Sequence, residues 1–513
     1  MPTRLLLALI AALLILRLPS LVQPMGADQG LYAYVGERIL HGELAYRDAW
    51  DQKPPGIHYV YAALRAVSTR DAIVPAADLV CAAIVAALLW VLGARLGGPA
   101  AGAVSAVLFL LLSDPSFARY GGVRIRAQCE TFIGVAVTAA VVLGAGRKTA
   151  WKLAAAGVLL GAAFVLKYNA GLYALVVMAA LATSGGLVLA DLAWIAAGAA
   201  IVPAALLVVF WRGGALGDLY QATIAYNVLY SGQTYASRWD MAAYLLRFPV
   251  EHARLDALWL VGGLGCAVLA IAGFWRRALW MPVAWAATAC VSIAINGSRN
   301  LPQYFVQAAP ALALAGGVAG VVALRRLPAI LRWAVVLIVA VGVWRVGDDP
   351  FPKLARNVLH DTQYIARRID RREYLARYGG ARAGEKYSAL DGVDLGAFLA
   401  SHTRADETVY VFGYTPAAYV YANRRSASRF FWSRPVIVDF NRRDPRYGVN
   451  GLAADLRRLP PAYVVLQERD WSPDVEDSAP FFLSQPALSA WLHAGYHSVP
   501  AVNGFITFER NGR

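Results

Sequence analysis

Long apolar segments dominate the first two thirds of the chain and follow one another with short polar loops between them. Most are near the length of about 20 residues that an α-helix needs to cross a bilayer. The pattern predicts a polytopic, mainly α-helical membrane protein with about eleven transmembrane helices. These are expected at 4–22, 74–93, 100–113, 127–145, 153–167, 169–184, 190–211, 256–275, 278–295, 304–324 and 328–347.

The segment 23–73, between the first two predicted spans, has regularly spaced apolar residues that an unstructured linker would lack. Residues 28–42 carry apolar side chains at helical spacing, and Gly42 is a plausible stop. Residues 54–67 begin with two prolines, which a helix tolerates at its start, and continue with apolar and aromatic residues. We therefore predict two interfacial helices in this loop, rich in the aromatic residues that favour a membrane surface.

The chain changes character near residue 348, where arginine and aspartate become frequent. Short β-type runs alternate there with helical patterns, which indicates a small α/β domain. We therefore divide the chain into a transmembrane domain, residues 1–347, and a C-terminal extracytoplasmic domain, residues 348–513. The strand-like runs are 409–412, 436–438, 463–466 and 505–508, and the helical patterns lie around 389–402, 415–422, 451–459 and 485–494.

Composition agrees with a membrane protein and excludes several classes of function. The chain is 58% hydrophobic, whereas soluble domains are nearer half apolar. The net charge of +15 is spread over short loops and the C-terminal domain, and no nucleic-acid motif accompanies it, so we expect no nucleic-acid partner. The cysteines lie in or beside apolar segments, which indicates neither a disulfide framework nor a Cys-based metal site. They are Cys81, Cys129, Cys266 and Cys290.

Basic loop residues predict the orientation in the bilayer. With the N-terminus in the cytoplasm, the short inner loops are basic, as the positive-inside rule requires, and Arg119, Arg124 and Arg126 are exceptions on the outer side. The apolar run after Arg4 is interpreted as a retained span, because no clear small-x-small cleavage site follows Arg17. The inner basic residues are Arg95, Arg147, Lys148, Lys152, Arg276, Arg277, Arg325, Arg326 and Arg332. The outer segments are 23–73, 114–126, 213–255, 296–303 and the chain from about 348.

Candidate chemistry is concentrated in the first outer loop. Asp28 is either the N-cap of the predicted helix or a general base for an acceptor hydroxyl, and the two roles are compatible because a capping carboxylate keeps one free oxygen. Lys53 either snorkels to lipid phosphates or binds the phosphate of a lipid-linked donor as a compact point charge. Asp48 and Asp51 either orient Lys53 or belong to a turn.

Further charged residues lie where spans reach the predicted outer side. Glu130 enters an apolar helix and needs a partner, for which Arg124 or Arg126 is available; that pair is structural, donor-binding or both. Lys167 ends an apolar run, and a charge among spans indicates function by default, with snorkelling as the alternative. The same side holds Arg299 and Tyr304.

Taken in order, these residues resemble the GT-C membrane glycosyltransferases. The resemblance is nearest to the bacterial branch of the protein O-mannosyltransferases, the lipid A aminoarabinose transferase and the Rgt-type lipopolysaccharide transferases (glycosyltransferase families 39 and 83). No single motif is specific, whereas the ordered set, over about residues 30–310, is fairly specific. The motifs are Asp28-Gln29-Gly30-x-Tyr32, Tyr46-Arg47-Asp48 before Lys53-Pro54-Pro55, Glu130-Thr131-Phe132, Leu166-Lys167-Tyr168, and Arg299 before Tyr304-Phe305.

The resemblance implies an inverting transferase with a polyprenyl-phosphate-linked sugar as donor. The acceptor would belong to the cell envelope, and transfer would occur at the periplasmic face of a bacterial inner membrane. The resemblance makes Asp28 the catalytic residue. It places Glu130, Asp48 and Asp51 in an acidic cavity, assigns Lys53, Lys167 and Arg299 to the donor phosphate, and assigns Tyr32, Arg126 and Tyr304 to other substrate contacts.

Several alternatives stay open on the sequence alone. Gln29 stands where the family often has a glutamate, so a divalent metal held by two adjacent acids is unsupported, and no cofactor is predicted with certainty. The sugar is open, and the acceptor is a lipopolysaccharide, another polysaccharide, a glycolipid or a protein. A transporter or flippase of a lipid-linked saccharide would suit charged spans, although a repeated half is missing. A non-catalytic envelope scaffold is the third interpretation.

Overall fold

The computed structural model describes residues 3–232, 234–297, 301–325, 327–346, 350–379, 386–500, 502 and 504–513, and it is mainly helical. Each of the eleven predicted spans coincides with a helix or a run of consecutive helices. In the described chain, five helices are long and apolar enough to cross a membrane, or up to seven if each of two bent pairs is one span. The count of eleven therefore stays a prediction. The helices before the C-terminal domain are α1 (Thr3–Arg17), α2 (Ala27–Leu40), α3 (Gly56–Val67), α4 (Ile73–Gly97), α5 (Pro99–Leu112), α6 (Cys129–Gly144), α7 (Ala150–Leu166), α8 (Ala174–Gly185), α9 (Leu189–Arg212), α10 (Leu216–Tyr220), α11 (Tyr226–Gly232), α12 (Arg238–Ala253), α13 (Ala257–Ala272), α14 (Trp280–Ile295), α15 (Pro302–Phe305), α16 (Ala309–Leu324) and α17 (Ala329–Arg345).

Helices α2 and α3 confirm that the first outer loop is helical at both predicted places. The chain bends by 74° between the segment Leu7–Val22 and α2, so α2 leaves the direction of the first span. The two helices approach closely, because a Cβ at Gly36 would lie only 2.7 Å from the backbone nitrogen of Ala62. Their interfacial position in a bilayer stays a prediction.

Small residues allow the long helices to pack backbone against backbone. A Cβ at Gly102 of α5 would lie 2.2 Å from the carbonyl oxygen of Trp90 in α4, and one at Gly198 of α9 would lie 2.0 Å from that of Ala154 in α7. Within lipid, where the surroundings are as apolar as the side chains, such close van der Waals packing is the main force that joins helices.

The predicted inner loops lie together at one end of the bundle. Arg95 of α4 donates to the carbonyl of Val142 near the end of α6 at 2.7 Å, and Arg325 lies beside Gly98. Asp78, near the other end of α4, accepts a hydrogen bond of 3.1 Å from the Ala127 amide. Asp78 and Arg95 are about 25 Å apart along the helix at 1.5 Å per residue. The predicted outer segments around Asp78 and Ala127 therefore lie at the end of the bundle opposite the basic loops.

The C-terminal domain contains a five-stranded sheet of strand order β2-β1-β3-β5-β4 and confirms the predicted α/β character. β1 is parallel to β2 and β3, with Val409 opposite Tyr463, whereas β5 is antiparallel to β3 and β4. The strands are β1 (Thr408–Phe412), β2 (Arg425–Ser426), β3 (Tyr463–Gln467), β4 (Tyr496–Val499) and β5 (Phe505–Arg510). The helices are α18 (Pro350–Ile365), α19 (Arg371–Ala376), α20 (Ala389–His402), α21 (Ala417–Ala422), α22 (Arg434–Ile437), α23 (Gly448–Arg458), α24 (Ser478–Ser484) and α25 (Pro486–Gly495).

Three of the four predicted strands are present, and the one at 436–438 is wrong. That segment overlaps the short helix α22, where Pro435 occupies the first turn and Val436 is fully buried. Proline lacks the N–H that a strand interior needs and fits a helix start, which explains why three consecutive β-branched residues do not extend here. The proposed domain boundary falls at residues 347–349, outside the described residues.

Candidate active site

Asp28 lies in the first turn of α2, and its carboxylate is contacted by two other segments of the chain. The N-cap of α2 is Gly26, so the interpretation of Asp28 as the capping residue is wrong. Tyr414 of the C-terminal domain donates a hydrogen bond to Oδ1, and the Gln128 amide nitrogen lies 3.4 Å from Oδ2. The first turn of a helix favours a negative charge, because the exposed N–H groups there carry partial positive charge. The carboxylate is therefore held in place and only half-buried.

Gly30 explains how the C-terminal domain reaches Asp28. A Cβ at Gly30 would lie 2.7 Å from the Cβ of Ala417 and 2.8 Å from its backbone nitrogen, so no side chain fits between α2 and α21. The glycine of the Asp28-Gln29-Gly30 motif thus allows α21 to lie directly on α2. Tyr414 stands three residues before Ala417 and is carried to the carboxylate by the same contact.

Gln29 has a structural role that a glutamate would not fill. Its amide nitrogen donates to the carbonyl oxygens of Val123 and Arg126, at 2.7 and 2.8 Å, and the side chain is fully buried. A carboxylate has no N–H to donate, so the amide is what fastens α2 to the turn that carries Gln128. Among the residues that the structure describes, no group of three or more His, Cys, Asp or Glu side chains is arranged to hold a metal ion.

Lys53 is a half-buried cation close to Asp28 and Tyr304. Within the described chain, its ammonium group has no hydrogen-bond or ion-pair partner. Burial lowers the pKa of Lys53, but the nearby charges, that of Asp28 foremost, outweigh burial and raise the pKa above its ordinary value. Lys53 is therefore positively charged at neutral pH, with its ammonium available to an anion that enters from outside.

The C-terminal domain also clamps the loop that carries Lys53. The Trp50 amide donates to the Arg429 carbonyl at 2.8 Å, and the Trp432 indole donates to the Trp50 carbonyl at 2.9 Å. The Trp50 side chain is fully buried, with its ring 4.9 Å from that of Tyr226. Burying an indole stabilises the contact by several kcal/mol at most, roughly 25 cal/mol per Å² of apolar surface. The C-terminal domain therefore orders the loop that carries Lys53.

Gly56, just after the two prolines, brings the same loop against α7. A Cβ at Gly56 would lie 2.7 Å from the Val165 carbonyl oxygen, so the backbones touch. Lys167 follows two residues later, and its ammonium forms an ion pair with Glu130 at the start of α6. The side chains of Lys167 and Glu130 are only 9% and 1% exposed, and Lys167 also lies 4.2 Å from the centre of the Tyr304 ring.

This pairing replaces the one expected for Glu130. The partner is Lys167 rather than Arg124 or Arg126. Arg126 is buried and turned to the other side, where it donates to Gln23 at 2.9 Å and lies 3.4 Å from Asp78. Its contacts join the segment that follows α1 to the beginning of α4, which is a structural role, and a contact with substrate stays a prediction.

Two other predicted site residues, Tyr32 and Asp51, have different hydrogen-bond partners. Tyr32 lies one turn further along α2, and its hydroxyl donates to the Gln128 side-chain oxygen at 3.2 Å. Asp51 is buried, with one oxygen 3.2 Å from the imidazole of His58 and the other accepting from the Gln52 amide at 2.7 Å. Tyr32 thus shares Gln128 as a hydrogen-bond partner with Asp28, and Asp51 is an internal carboxylate near Lys53.

Asp48 does not join the cavity and fits the alternative of a turn residue. It accepts from the Leu44 amide at 2.8 Å and pairs with Arg47 at 2.7 Å near the surface. Partial burial raises the pKa of Asp48, but its hydrogen bonds with Arg47 and Leu44 outweigh burial and leave the pKa below its ordinary value. Arg299 lies outside the described residues, so its predicted contact with the donor phosphate stays a prediction.

Sequence reasoning missed Tyr414 as a site residue. It follows β1, and the carboxyl ends of parallel strands are where α/β folds present functional side chains. The Tyr414 ring packs against that of Trp471, at 4.8 Å between ring centres, and Trp471 follows the parallel neighbour β3. The signal was therefore in the alternation of strands and loops, although nothing local joined residue 414 to residue 28.

We call Asp28, Lys53, Glu130 and Lys167 the charged cluster. A cavity of about 280 Å³ borders this cluster at Glu130. Its wall is mostly apolar and includes side chains of α4, α5, α6, α13 and α16, with Glu130 at its border and Asp256, Trp259, Phe305 and Lys353 further around it. Asp28 and Lys53 are not part of the wall. The charged cluster therefore has an apolar chamber on the Glu130 side.

No protein-family model and no curated protein matches the sequence. Solved structures do match over nearly the whole chain. ArnT from Cupriavidus metallidurans bound to undecaprenyl phosphate superposes with a TM-score of 0.60 at 16% identity, covering 99% of this chain and 98% of that one. The apo state of the same protein gives a TM-score of 0.57 at 15% identity, with the same coverage.

A second protein shares the architecture. The archaeal oligosaccharyltransferase AglB from Archaeoglobus fulgidus, in complex with an inhibitory peptide and a dolichol-phosphate, matches with a TM-score of 0.51 at 12% identity, covering 99% of this chain and 74% of that one. At these identities the likeness establishes the fold. With its membrane-spanning helices, the protein is a multi-pass membrane protein. The chain has the fold of the GT-C membrane glycosyltransferases, as its ordered motifs predicted.

Proposed function

We propose that the protein is a glycosyltransferase that moves a sugar from a polyprenyl-phosphate donor to a hydroxyl group of a cell-envelope acceptor. The observation that carries the proposal is the unpaired Lys53 ammonium of the described chain, held beside the Asp28 carboxylate. A cation that forms no direct ion pair suits a phosphate supplied by the substrate, and a fixed carboxylate beside it suits proton removal.

The fold neighbours support the class of donor. One neighbour is bound to undecaprenyl phosphate and another to a dolichol-phosphate, and both are lipid phosphates. The apolar chamber next to Glu130 offers lipid chains a place near the charged cluster. The protein also shows no glycine-rich phosphate loop in its sequence, which a soluble nucleotide-sugar would often use.

The proposed reaction is a single displacement at the anomeric carbon. The acceptor oxygen forms a bond to that carbon while its proton passes to the Asp28 carboxylate. The bond between the anomeric carbon and the phosphate oxygen breaks, and both of its electrons stay on the polyprenyl phosphate. Lys53 stabilises the negative charge that develops on that leaving group. The configuration of the sugar is inverted.

Lys167 has a different part in this proposal. Its charge is already offset by Glu130, so it is less able than Lys53 to neutralise a donor phosphate. Its contact with Tyr304 keeps Lys167 within the charged cluster. We assign Lys53 as the principal phosphate ligand and the Glu130–Lys167 pair as the support that fixes Tyr304.

We further propose that the active site and the C-terminal domain face the periplasm of a bacterial inner membrane. Support comes from the basic loops, which gather at the end of the bundle opposite Asp28. Lipopolysaccharide, another polysaccharide, a glycolipid and a protein are the acceptor classes to be screened.

The test of catalysis uses the purified full-length protein in lipid nanodiscs with a panel of polyprenyl-phosphate sugars, and it measures release of polyprenyl phosphate and labelling of envelope extracts. We expect Asp28→Asn to lower the turnover rate by at least about 10²-fold, because it removes the proton acceptor without changing the shape of the side chain. Near-normal turnover in Asp28→Asn would refute the assignment. No transfer by the wild-type protein from any donor would favour the flippase or scaffold alternatives.

Lys53→Ala tests the donor contact separately. We expect its affinity for polyprenyl phosphate alone, measured by native mass spectrometry, to fall by about 10-fold or more, because a charge-assisted hydrogen bond contributes about 1.5–3 kcal/mol. Lys152→Ala is the matched control, since Lys152 lies beside Trp151 near the opposite end of the bundle. Equal binding by Lys53→Ala and wild type would contradict the phosphate role.

A further inference from the structure

The loop that carries Tyr414 belongs to the C-terminal domain and is rigidly built. The Tyr414 amide donates to the Gln467 side-chain oxygen at 2.7 Å, and the Thr415 hydroxyl donates to the same oxygen at 2.8 Å. Gly413 is required there, because a Cβ would lie 2.5 Å from Gln467. Gln467 ends β3, so the loop after β1 is fastened to the neighbouring parallel strand.

Aromatic contacts hold the Tyr414 ring independently of its hydroxyl. The ring centre lies 4.8 Å from that of Trp471 and 5.9 Å from that of Trp432. Trp471 is itself fixed, because its indole donates to the Ser433 hydroxyl at 2.8 Å. A phenylalanine at position 414 would therefore keep the ring in place and lose only the hydrogen bond to Asp28.

We infer that Tyr414 is a positioning residue for Asp28, so that the C-terminal domain forms part of the active site. Its hydroxyl donates to Oδ1, while Gln128 faces Oδ2, and the carboxylate is thereby fixed in one rotation. A donor to the ionised carboxylate stabilises its charged form, the form that accepts a proton. This inference deepens the proposed function and rests on it for its catalytic meaning.

Within the described chain, several other ionisable groups lie near the Asp28 carboxylate. They are Lys53, the tyrosines Tyr32, Tyr61, Tyr304 and Tyr414, and the Asp51 carboxylate, which acts on three of them. Tyrosine ordinarily titrates near pH 10, and lysine slightly higher. Because labelling is read at Asp28 itself by mass spectrometry, these groups and the Asp51 carboxylate do not interfere with the measurement.

The C-terminal domain offers a matched control. Tyr421 of α21 donates to the carboxylate of Asp71 at 2.8 Å, which is a second tyrosine-to-carboxylate bond between this domain and the rest of the protein. Tyr421→Phe removes a bond of the same kind from the same domain contact, away from Asp28. It therefore reports what looser docking alone does.

The experiment compares wild type, Tyr414→Phe and Tyr421→Phe as full-length proteins in nanodiscs. A water-soluble carbodiimide labels protonated carboxyl groups, and mass spectrometry gives the labelling of Asp28 against pH. We expect the midpoint for Tyr414→Phe to move up by about one to two pH units, as loss of a hydrogen bond to a charged group implies. Steady-state kinetics should show kcat lowered by about 10- to 100-fold, with the KM for the donor unchanged.

Each outcome has a definite meaning. Tyr421→Phe should match the wild type in both measurements. Labelling of Tyr414→Phe that matches the wild type would overturn the inference, and so would equal effects of Tyr414→Phe and Tyr421→Phe, since these indicate docking alone. A shifted midpoint in a protein that transfers no sugar would uphold the contact and reject the proposed function.

Discussion

Replacing Glu130 by glutamine removes the carboxylate that faces the Lys167 ammonium inside the protein. With side chains only 1% and 9% exposed, neither ion can turn to water when its partner is lost. Leaving one member of a buried pair uncompensated costs about 3–5 kcal/mol. The Tyr304 ring, 4.2 Å from the ammonium, retains about 1–2 kcal/mol of stabilisation for Lys167. We therefore expect Glu130→Gln to lower the free energy of unfolding by about 3 kcal/mol.

The double variant tests whether the loss belongs to the pair. Lys167→Met should also destabilise, whereas Glu130→Gln with Lys167→Met removes both charges and should lose less than the sum of the single changes, by about 2 kcal/mol. Equilibrium unfolding of the four proteins in mixed detergent micelles measures these free energies. The surface pair Arg47–Asp48, with Arg47 43% exposed, is the control and should couple by less than about 1 kcal/mol. Additive losses at Glu130 and Lys167 would refute the reasoning and make Lys167 available to a phosphate.

Two further predictions concern the C-terminal domain. Gly30→Ala should weaken its docking and destabilise the protein by about 1–3 kcal/mol, because the new Cβ overlaps α21. Gly263→Ala, where the Cβ meets open space, should not; protease sensitivity of the domain distinguishes the two, and equal sensitivity would contradict the packing argument. Burial raises the pKa of Asp470 to about 7, so the folded state binds more protons than the unfolded state between about pH 4 and 7, and stability falls as the pH rises through that range. Asp470→Asn should flatten this dependence, measured by hydrogen exchange of β3 amides corrected for intrinsic rates, and an unchanged slope would contradict it.

Periodicity was sufficient for most of the architecture because helices within a membrane are long and uniformly apolar. The helix α12 was not predicted, because charged residues such as Arg238 and Asp240 interrupt its apolar pattern. The chain bends by 114° between α12 and α13. The strand β2 was not predicted, because two residues are too few to show an alternation of apolar and polar side chains. Local patterns thus predict elements whose side chains share one environment over several turns.

The site was predictable in its residue types and only partly in its pairings. Asp28 and Lys53 stood out because a charged residue beside a membrane span is costly unless it has a structural or functional role. The partner of Glu130 lies 37 residues away, whereas Arg124 and Arg126 were both nearer in the sequence and suitable on charge alone. Tyr414 is 386 positions from Asp28 in the sequence, and the docking of α21 at Gly30 brings them together. Contacts between distant segments depend on backbone approach, which side-chain patterns do not record.

The bond between Tyr414 and Asp28 joins residues 386 positions apart, which has a consequence for biogenesis. Ribosomes make the chain from its amino end, so the first loop is inserted long before the segment that orders it exists. Until that segment emerges and folds, Trp50 lacks its clamp and the carboxylate lacks its tyrosine. A nascent or prematurely released chain therefore carries the spans without the Tyr414–Asp28 bond and, under the proposed function, without a finished active site.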